Sequence, residues 1–557
     1  MTNSAIADHF ALLSKLMDIH GENSFKSRTY SIAAYNIEQL DSVLSTMPRD
    51  VIPTLRGMNG SVGQKVMEML DTGKLSSLEE ILAATPPGVI EMLQVKGLGP
   101  KKIHTIWKEM EIESLGELLY ACHENRLTRF KGFGAKTQQN IQEGIEYYLQ
   151  NQGHYLYAEM ETLFPQIDGY LKKLFGADKV AVTADYLRQD LTLEELTFEV
   201  MADVAAAKPK FHSAQPPELL EETESTLLYK LKNGLKLRLN LGLDPLPARL
   251  FGSTGSADFV KTFLAKFAIP TDIEGVDDRE IFNRAGVPYI PPFLRDDASI
   301  LSSFNETTAA ALIQTNEIKG IIHSHSTWSD GTNSLEEMAV ACIQKGFEYL
   351  VISDHSKAAA YAKGLSEERI IEQHKQIDEL NKKLYPFRIF KSIECDILTD
   401  GSLDYTDDVL ASFDLVIASI HSNLKMTEEK AMARLLRAIS NPYVRILGHP
   451  TGRLLLSRKG YPVNHEVLID ACAAQGVVLE INAHPRRLDL DWKWVAKARA
   501  NGVLLSINPD AHSIEGYDDI KYGVLAAQKG LLTKEGNLSS FTRDEFVKFI
   551  EQGRSAS

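Results

Sequence analysis

Four cysteines in 557 residues, none in a Cys-x-x-Cys pair, leave no sulfur framework to build on. Cys122, Cys342, Cys395 and Cys472 are widely scattered. That excludes a disulfide scaffold and a cysteine zinc site, and it fits a reducing, cytoplasmic setting. Long apolar runs are missing as well. None approaches the ~20 residues a helix needs to cross a bilayer, so no membrane partner is expected. The opening stretch, MTNSAIADHFALLSKLMDIHG, lacks the basic start and apolar block of a secretory signal, and its Leu and Ile recur at helical spacing. Finally, there is no excess of positive charge. Sixty Lys and Arg against 75 Asp and Glu leave a net charge of −15. A broad basic face for nucleic acid is excluded, so any DNA binding must come from local features.

What is present divides into three sections, as a chain of this length requires at roughly 100–200 residues per domain. The first, residues 1–150, reads all-helical. It carries three related turns, LRGMNGSVGQKVMEML, VKGLGPKKIHTIW and FKGFGAKTQQNI. In the last two, Gly97-x-Gly99 and Gly132-x-Gly134 each open a helix with lysines in or beside its first turns: Lys96, Lys101, Lys102, Lys131 and Lys136. Glycine permits the tight turn, and the helix N-terminus then offers unpaired backbone N–H groups to an anion. These turns resemble helix-hairpin-helix motifs, which hold the DNA backbone without reading sequence. The second section, 151–315, mixes strands and helices and closes on VPYIPPFLRDD, which reads as a linker.

The third section, 316–557, repeats apolar strands that end in polar residues and are followed by helices: GIIHSHS, YLVISDH, FKSIECDI, DLVIASIH, VRILGHP, VVLEINAH and VLLSINPDAH. Alternating strands and helices predict a parallel (β/α) barrel of about seven strands, with chemistry at the strand C-termini. Six of the seven ends carry residues that could bind metal: His323 and His325, Asp354/His355, Glu394, His421, His449, Asp510 and His512. His323 and His325 lie two apart on a strand and so face the same way. Imidazole and carboxylate without thiolate suit Zn²⁺, Mn²⁺ or Fe²⁺. The set exceeds the needs of one tetrahedral ion, so two or three metals are expected with Glu394 as a bridge. His374, in a solvated helix, and His465, at a helix start, are left outside.

HSHSTWSDG, SDH, IECDI, SIHS, GHP and PDAH resemble, in order, the motifs of a PHP (polymerase and histidinol phosphatase) domain. Together with the helix-hairpin-helix turns and the domain order, the chain resembles the bacterial and archaeal family X DNA polymerases over nearly its whole length. The resemblance implies a distorted (β/α)7 barrel behind a palm/thumb region, with three metals. It gives one to His323, His325, Glu394 and Asp510, a second to Glu394, His421 and His449, and a third to Asp330, His355 and His512. It also implies 3′-5′ exonuclease or related phosphoesterase activity. Asp354 is expected to orient the ligand it precedes. Asn482, Arg486 and Arg487 in LEINAHPRRLDL are expected beside the metal mouth, where they could hold a phosphate.

The polymerase half departs from the family where two metals (Mg²⁺ or Mn²⁺) would be bound. The family's Gly-Ser falls on Asp185-Tyr186, its D-x-D on or near Leu196 and Phe198 with Glu195 and Glu199 alongside, and its third aspartate on Arg238. FGSTGSADF resembles a later family segment, so the fold is expected to persist as a DNA-positioning scaffold without nucleotidyl transfer. The leading expectation is a monomeric, nucleoid-associated DNA repair nuclease. The competing readings are an active gap-filling polymerase with an exonuclease, a small-molecule phosphatase, and a non-catalytic DNA-binding scaffold.

Overall fold

A computed structural model of the chain describes residues 1–40, 42–55, 57–58, 60–150, 153–211, 217–270 and 272–554. They form two compact units, Met1–Cys122 with Phe130–Tyr148, and His123–Arg129 with Leu149–Ser557. The second and third expected sections therefore share one unit.

The described residues of the first unit are helical. Its opening helix, Asn3–His20, is capped by the Thr2 side chain, which accepts from Ala5 N–H, and stops at Gly21, where φ is 73°. Ile6, Phe10, Leu13 and Met17 fall on one face at helical spacing and are buried. The three glycine turns share one construction. The apolar residue after the first glycine points inward: Met58, Leu98 and Phe133 are all buried. The glycines before them, Gly57, Gly97 and Gly132, have φ of 79°, 92° and 93°. A side chain there would be strained, which explains the residue type. Arg56 and Asn59 of the first turn lie outside the described residues.

The second unit begins with a short pair, β1 (Tyr155–Leu156) and β3 (Thr192–Leu193). Beside it is a five-stranded sheet in the order β2 (Val180–Val182), β4 (Glu195–Met201), β7 (Lys236–Gly242), β6 (Thr226–Lys230) and β5 (Glu218–Glu222). Only β4 and β7 run parallel in it. VPYIPPFLRDD, expected as a linker, is part of a packed core. Ile290 and Leu294 join a cluster of phenylalanines. Arg295 is fully buried, donating to the Ile290 carbonyl and to both oxygens of Asp278. Proline content marks stiffness here, while the arginine stem and its buried counter-ion tie the segment down.

Seven parallel strands follow: β8 (Gly320–Ile321), β9 (Tyr349–Ile352), β10 (Arg388–Asp396), β11 (Leu415–Ser419), β12 (Val444–Leu447), β13 (Val478–Asn482) and β14 (Leu505–Asn508). They are adjacent in chain order, and a parallel bridge between Ser324 and Ala511 joins the first to the last, so the sheet nearly closes into a barrel. Five of them, β8, β9, β11, β13 and β14, are buried at every residue, as expected of strands covered on both faces. The lower interior is filled by Tyr349, Phe390, Ile417, Ile446 and Phe546 from the C-terminal helix Arg543–Arg554. The upper interior is left to polar side chains.

Candidate metal centre

The strand C-termini bring the histidines and acids together, but not by strand alternation alone. β8 ends at Ile321, and His323 lies beyond it with φ of 62°. Asp510 (φ 52°) and His449 (φ 24°) are also left-handed. Such residues cost about 1–3 kcal/mol each and persist only where their surroundings impose them. The imposing contacts are visible. Ala511 N–H donates to the His323 carbonyl at 3.3 Å, and His325 N–H donates to the Ala511 carbonyl at 2.8 Å. The glycine of GHP is required by close approach. A Cβ on Gly448 would lie 2.3 Å from Ser419 Oγ and 3.6 Å from the His323 ring.

Glu394 on β10 is the hub. Its Oε1 lies 3.3 Å from His323 Nε2, 3.1 Å from His421 Nε2 and 2.9 Å from His449 Nε2. Its Oε2 lies 3.1 Å from His355 Nδ1 and 3.7 Å from His325 Nε2. Asp510 Oδ1 stands 3.4 Å from His323 Nε2 and 3.1 Å from His325 Nε2. Asp330 faces His355 Nε2 at 3.4 Å and His512 Nε2 at 3.5 Å. Two donors each about 2.1 Å from one tetrahedral ion lie about 3.4 Å apart, which falls within the 2.9–3.7 Å range of these separations. Three sets bring their donor atoms within 4.8 Å of one another: His325, Asp330, His355 and His512; His323, His325 and Asp510; His355, Glu394 and His421.

Eight buried atoms in this cluster have no hydrogen-bond partner: His323 Nε2, His325 Nδ1, Asp330 Oδ2, His355 Nδ1 and Nε2, Glu394 Oε2, His449 Nδ1 and His512 Nε2. Buried polar atoms are rarely left so, and a nitrogen and oxygen donor set without sulfur fits divalent cations. Burial alone would drive Glu394, Asp330 and Asp510 toward the neutral form. The facing imidazoles outweigh it and hold all three carboxyls well below their usual range.

Around the cluster stand residues that sequence reading missed or placed differently. Glu480 on β13 is fully buried, with Oε2 2.6 Å from His323 Nδ1. It also accepts from His449 N–H at 3.0 Å and from the Asn508 amide at 2.8 Å. Asp396 holds His421 Nδ1 in the same manner at 3.1 Å. Such carboxylate–histidine pairs fix ring orientation and basicity. Asp354 acts on the loop before Asp330. Its carboxylate accepts from the backbone and hydroxyls of Ser326 and Ser329 and from Gln373. Asn482 donates to Glu480 and to Asp510 Oδ2 at 3.0 Å. Arg487 brings Nε within 3.8 Å of the same Asp510 oxygen, whereas Arg486 donates to Glu159 at 3.0 Å. His374 and His465 stand outside the cluster. His374 packs on Phe413 rather than lying in solvent, and Gln373 beside it is buried, so that helix has an inner face.

In the five-stranded sheet, Leu196 and Phe198 point into the core and are fully buried. The opposite face of β4 carries Glu195, Thr197 and Glu199 beside Arg238 and Asn240 of β7, so the carboxylates sit one residue from the expected positions. Arginines occupy them. Arg238 Nε donates to Glu195 at 2.5 Å, and Arg249 pairs with Glu199 while donating to the carbonyls of Val200, Asn240 and Gly242. Tyr186, at the Gly-Ser position, stacks on Phe164 at 4.6 Å and on Tyr157 at 5.3 Å. FGSTGSADF is joined to β2 through Thr183, which bonds Ser253 and Thr254. In the first unit, a Cβ on Gly97, Gly99, Gly132 or Gly134 would meet nothing within 4 Å. Lys96, Lys101, Lys131 and Lys136 are exposed beside them, and Lys102 folds back on the Gly97 carbonyl at 3.2 Å.

Fold and cluster together define a protein with helix-hairpin-helix turns and a C-terminal PHP barrel. Family models agree with both parts. A helix-hairpin-helix domain matches residues 1–75, a SAM-like helix-hairpin-helix tandem matches 89–146, and a PHP domain matches 322–484. Over 565 residues the chain is 34% identical to the DNA polymerase/3′-5′ exonuclease PolX of Bacillus subtilis (strain 168), covering 96% of this chain and 97% of that protein. The chain belongs to the PolX family. Its barrel is also similar to shorter proteins. It is 27% identical over 201 residues to probable phosphatase TTE1963 of Caldanaerobacter subterraneus, covering 34% of this chain and 74% of that protein. A probable phosphatase of Shewanella oneidensis is 27% identical over 212 residues, covering 35% of this chain and 78% of that protein. Among the described residues no helix is long and apolar enough to cross a membrane.

Proposed function

We propose that the chain is a DNA-acting phosphoesterase that shortens strands from the 3′ end at its PHP barrel, with nucleotidyl transfer lost. The observation that carries this reading is the convergence of six imidazoles on three buried carboxylates at metal-ligand spacing. His323, His325, Glu394 and Asp510 would hold one cation, His421 and His449 a second shared through Glu394, and Asp330, His355 and His512 a third. When bound, such ions activate a water and neutralise phosphate charge. Glu480 and Asp396 keep the His323 and His421 rings aimed inward. Asp354 holds the loop that presents Asp330.

Loss of the polymerase reaction is supported by the arginines paired to Glu195 and Glu199. A guanidinium at that position opposes a divalent cation at close range. The exposed glycine turns and their lysines suit backbone contacts to DNA, independent of sequence. The test is 5′-labelled single-stranded DNA with Mn²⁺, incubated with the wild type, His323→Ala and Asp510→Ala. Stepwise shortening that both substitutions lower by about 100-fold or more is expected. No shortening by the wild type would sink the proposal. The likeness of the barrel to probable phosphatases favours one second reading, a small phosphomonoester as substrate, which the same proteins test with p-nitrophenyl phosphate.

A further inference from the structure

Residues His123–Arg129 come from the N-terminal part of the sequence but group with the unit that contains the barrel. Arg129 donates to the carbonyl of Ser329, next to Asp330, at 3.1 Å. The Arg126 guanidinium lies over the Tyr361 ring, 4.1 Å from its centroid, and Tyr361 meets the His355 ring edge-on at 6.1 Å. Between these contacts Glu124 is buried, only 7% exposed. One of its oxygens lies 3.7 Å from Arg126 Nη1 and the other 3.9 Å from Arg487 Nη2. Arg487 in turn approaches Asp510 of the metal cluster.

A buried carboxylate thus stands between two guanidiniums at the rim of the cluster. Its distances are those of attraction without close hydrogen bonding, since a charge-assisted bond to a carboxylate spans about 2.7–2.9 Å. A phosphate is wider, carries oxygens in four directions, and could bond both arginines at once. We propose that Arg126 and Arg487 form a phosphate subsite at the barrel mouth, which Glu124 fills in the resting protein and a substrate phosphodiester displaces. The subsite rests on the reading of the barrel as a nuclease and deepens it. The group bound there is the phosphate next to the one being cleaved, so residues 123–129 help to select polymeric DNA over a lone phosphomonoester. Displacement is an exchange of anions and breaks no covalent bond.

The experiment is a calorimetric titration of inorganic phosphate into full-length protein loaded with Mn²⁺, with metal content and unfolding temperature matched between variants. Glu124→Gln is expected to bind phosphate about fivefold tighter than the wild type, and Arg126→Ala about fivefold more weakly. In the double variant the gain from Glu124→Gln should vanish, because the charge it unmasks is gone. Glu124→Ala serves if the glutamine variant unfolds early. Phosphate affinity that is unchanged or weakened in Glu124→Gln and Glu124→Ala would overturn the subsite and leave Glu124 as a structural anchor. Failure of the nuclease reading shows separately, as wild-type protein that shortens no DNA. The titration still decides the subsite in that event.

Discussion

Glu480 Oε2 lies 2.6 Å from Nδ1 of His323, and both side chains are fully buried. The contact fixes which ring nitrogen faces the cluster, because Nδ1 is engaged and Nε2 is left toward Glu394 and Asp510. Substituting Glu480 by Gln keeps the shape and removes the charge. Metal affinity should fall about 10- to 100-fold, the usual effect of losing such a partner. Elemental analysis after dialysis against a weak chelator measures it. Full metal retention by Glu480→Gln would mean that His323 needs no such support.

Much of this site was legible in the sequence. All seven strand ends are strands or their extensions, and the nine nominated His, Asp and Glu residues meet in one place. Glu480 was legible too, had burial been weighed. A single acid inside VVLEIN, on a strand covered on both faces, must have a partner. The convergence of His323 and His325 was expected for the wrong reason, since left-handed backbone and a bridge to Ala511 do what strand alternation was expected to do. Arg295 in its proline-rich segment and Glu124 at the barrel mouth could not be read locally. Asp278 lies 17 residues from Arg295, and Arg487, the second arginine beside Glu124 after its neighbour Arg126, lies 363 residues away.

The Arg295–Asp278 pair is a test of the middle core. Arg295→Met removes the guanidinium that lies over the Phe282 and Tyr289 rings and leaves the buried Asp278 carboxylate without its cation. Removing one member of a buried pair costs about 3–5 kcal/mol. Urea unfolding followed by tyrosine fluorescence should show the transition that reports this core moving to lower denaturant. An unchanged midpoint would place the pair outside the cooperative core.

The five-stranded sheet makes a prediction about chemistry. Primer extension should be absent with either Mg²⁺ or Mn²⁺, and Arg238→Asp alone should not restore it. Glu199 remains tied to Arg249, and Tyr186 still fills its place against Phe164. Template-directed extension by the wild-type protein, unaffected by His323→Ala, would show that Glu195 and Glu199 are released from their arginines in the working enzyme.

Gly448 joins fold and chemistry in one position. A Cβ there would sit 2.3 Å from Ser419 Oγ and 3.0 Å from Ile417 Cγ2, with the His323 ring 3.6 Å away. Gly448→Ala must therefore push β11 and the end of β12 apart and shift His323 from Glu394. Metal binding and hydrolysis should drop about tenfold, since small misplacements at a reacting site cost that or more. Ser419 Oγ is buried and has no hydrogen-bond partner, so removing it sacrifices no bond. Ser419→Ala alone should be close to neutral, and the double variant Gly448→Ala/Ser419→Ala should recover a large part of the lost activity. Contact between the two sites makes their effects non-additive. Strictly additive losses in a four-protein cycle would mean that Gly448 matters for its backbone and not for the space beside His323.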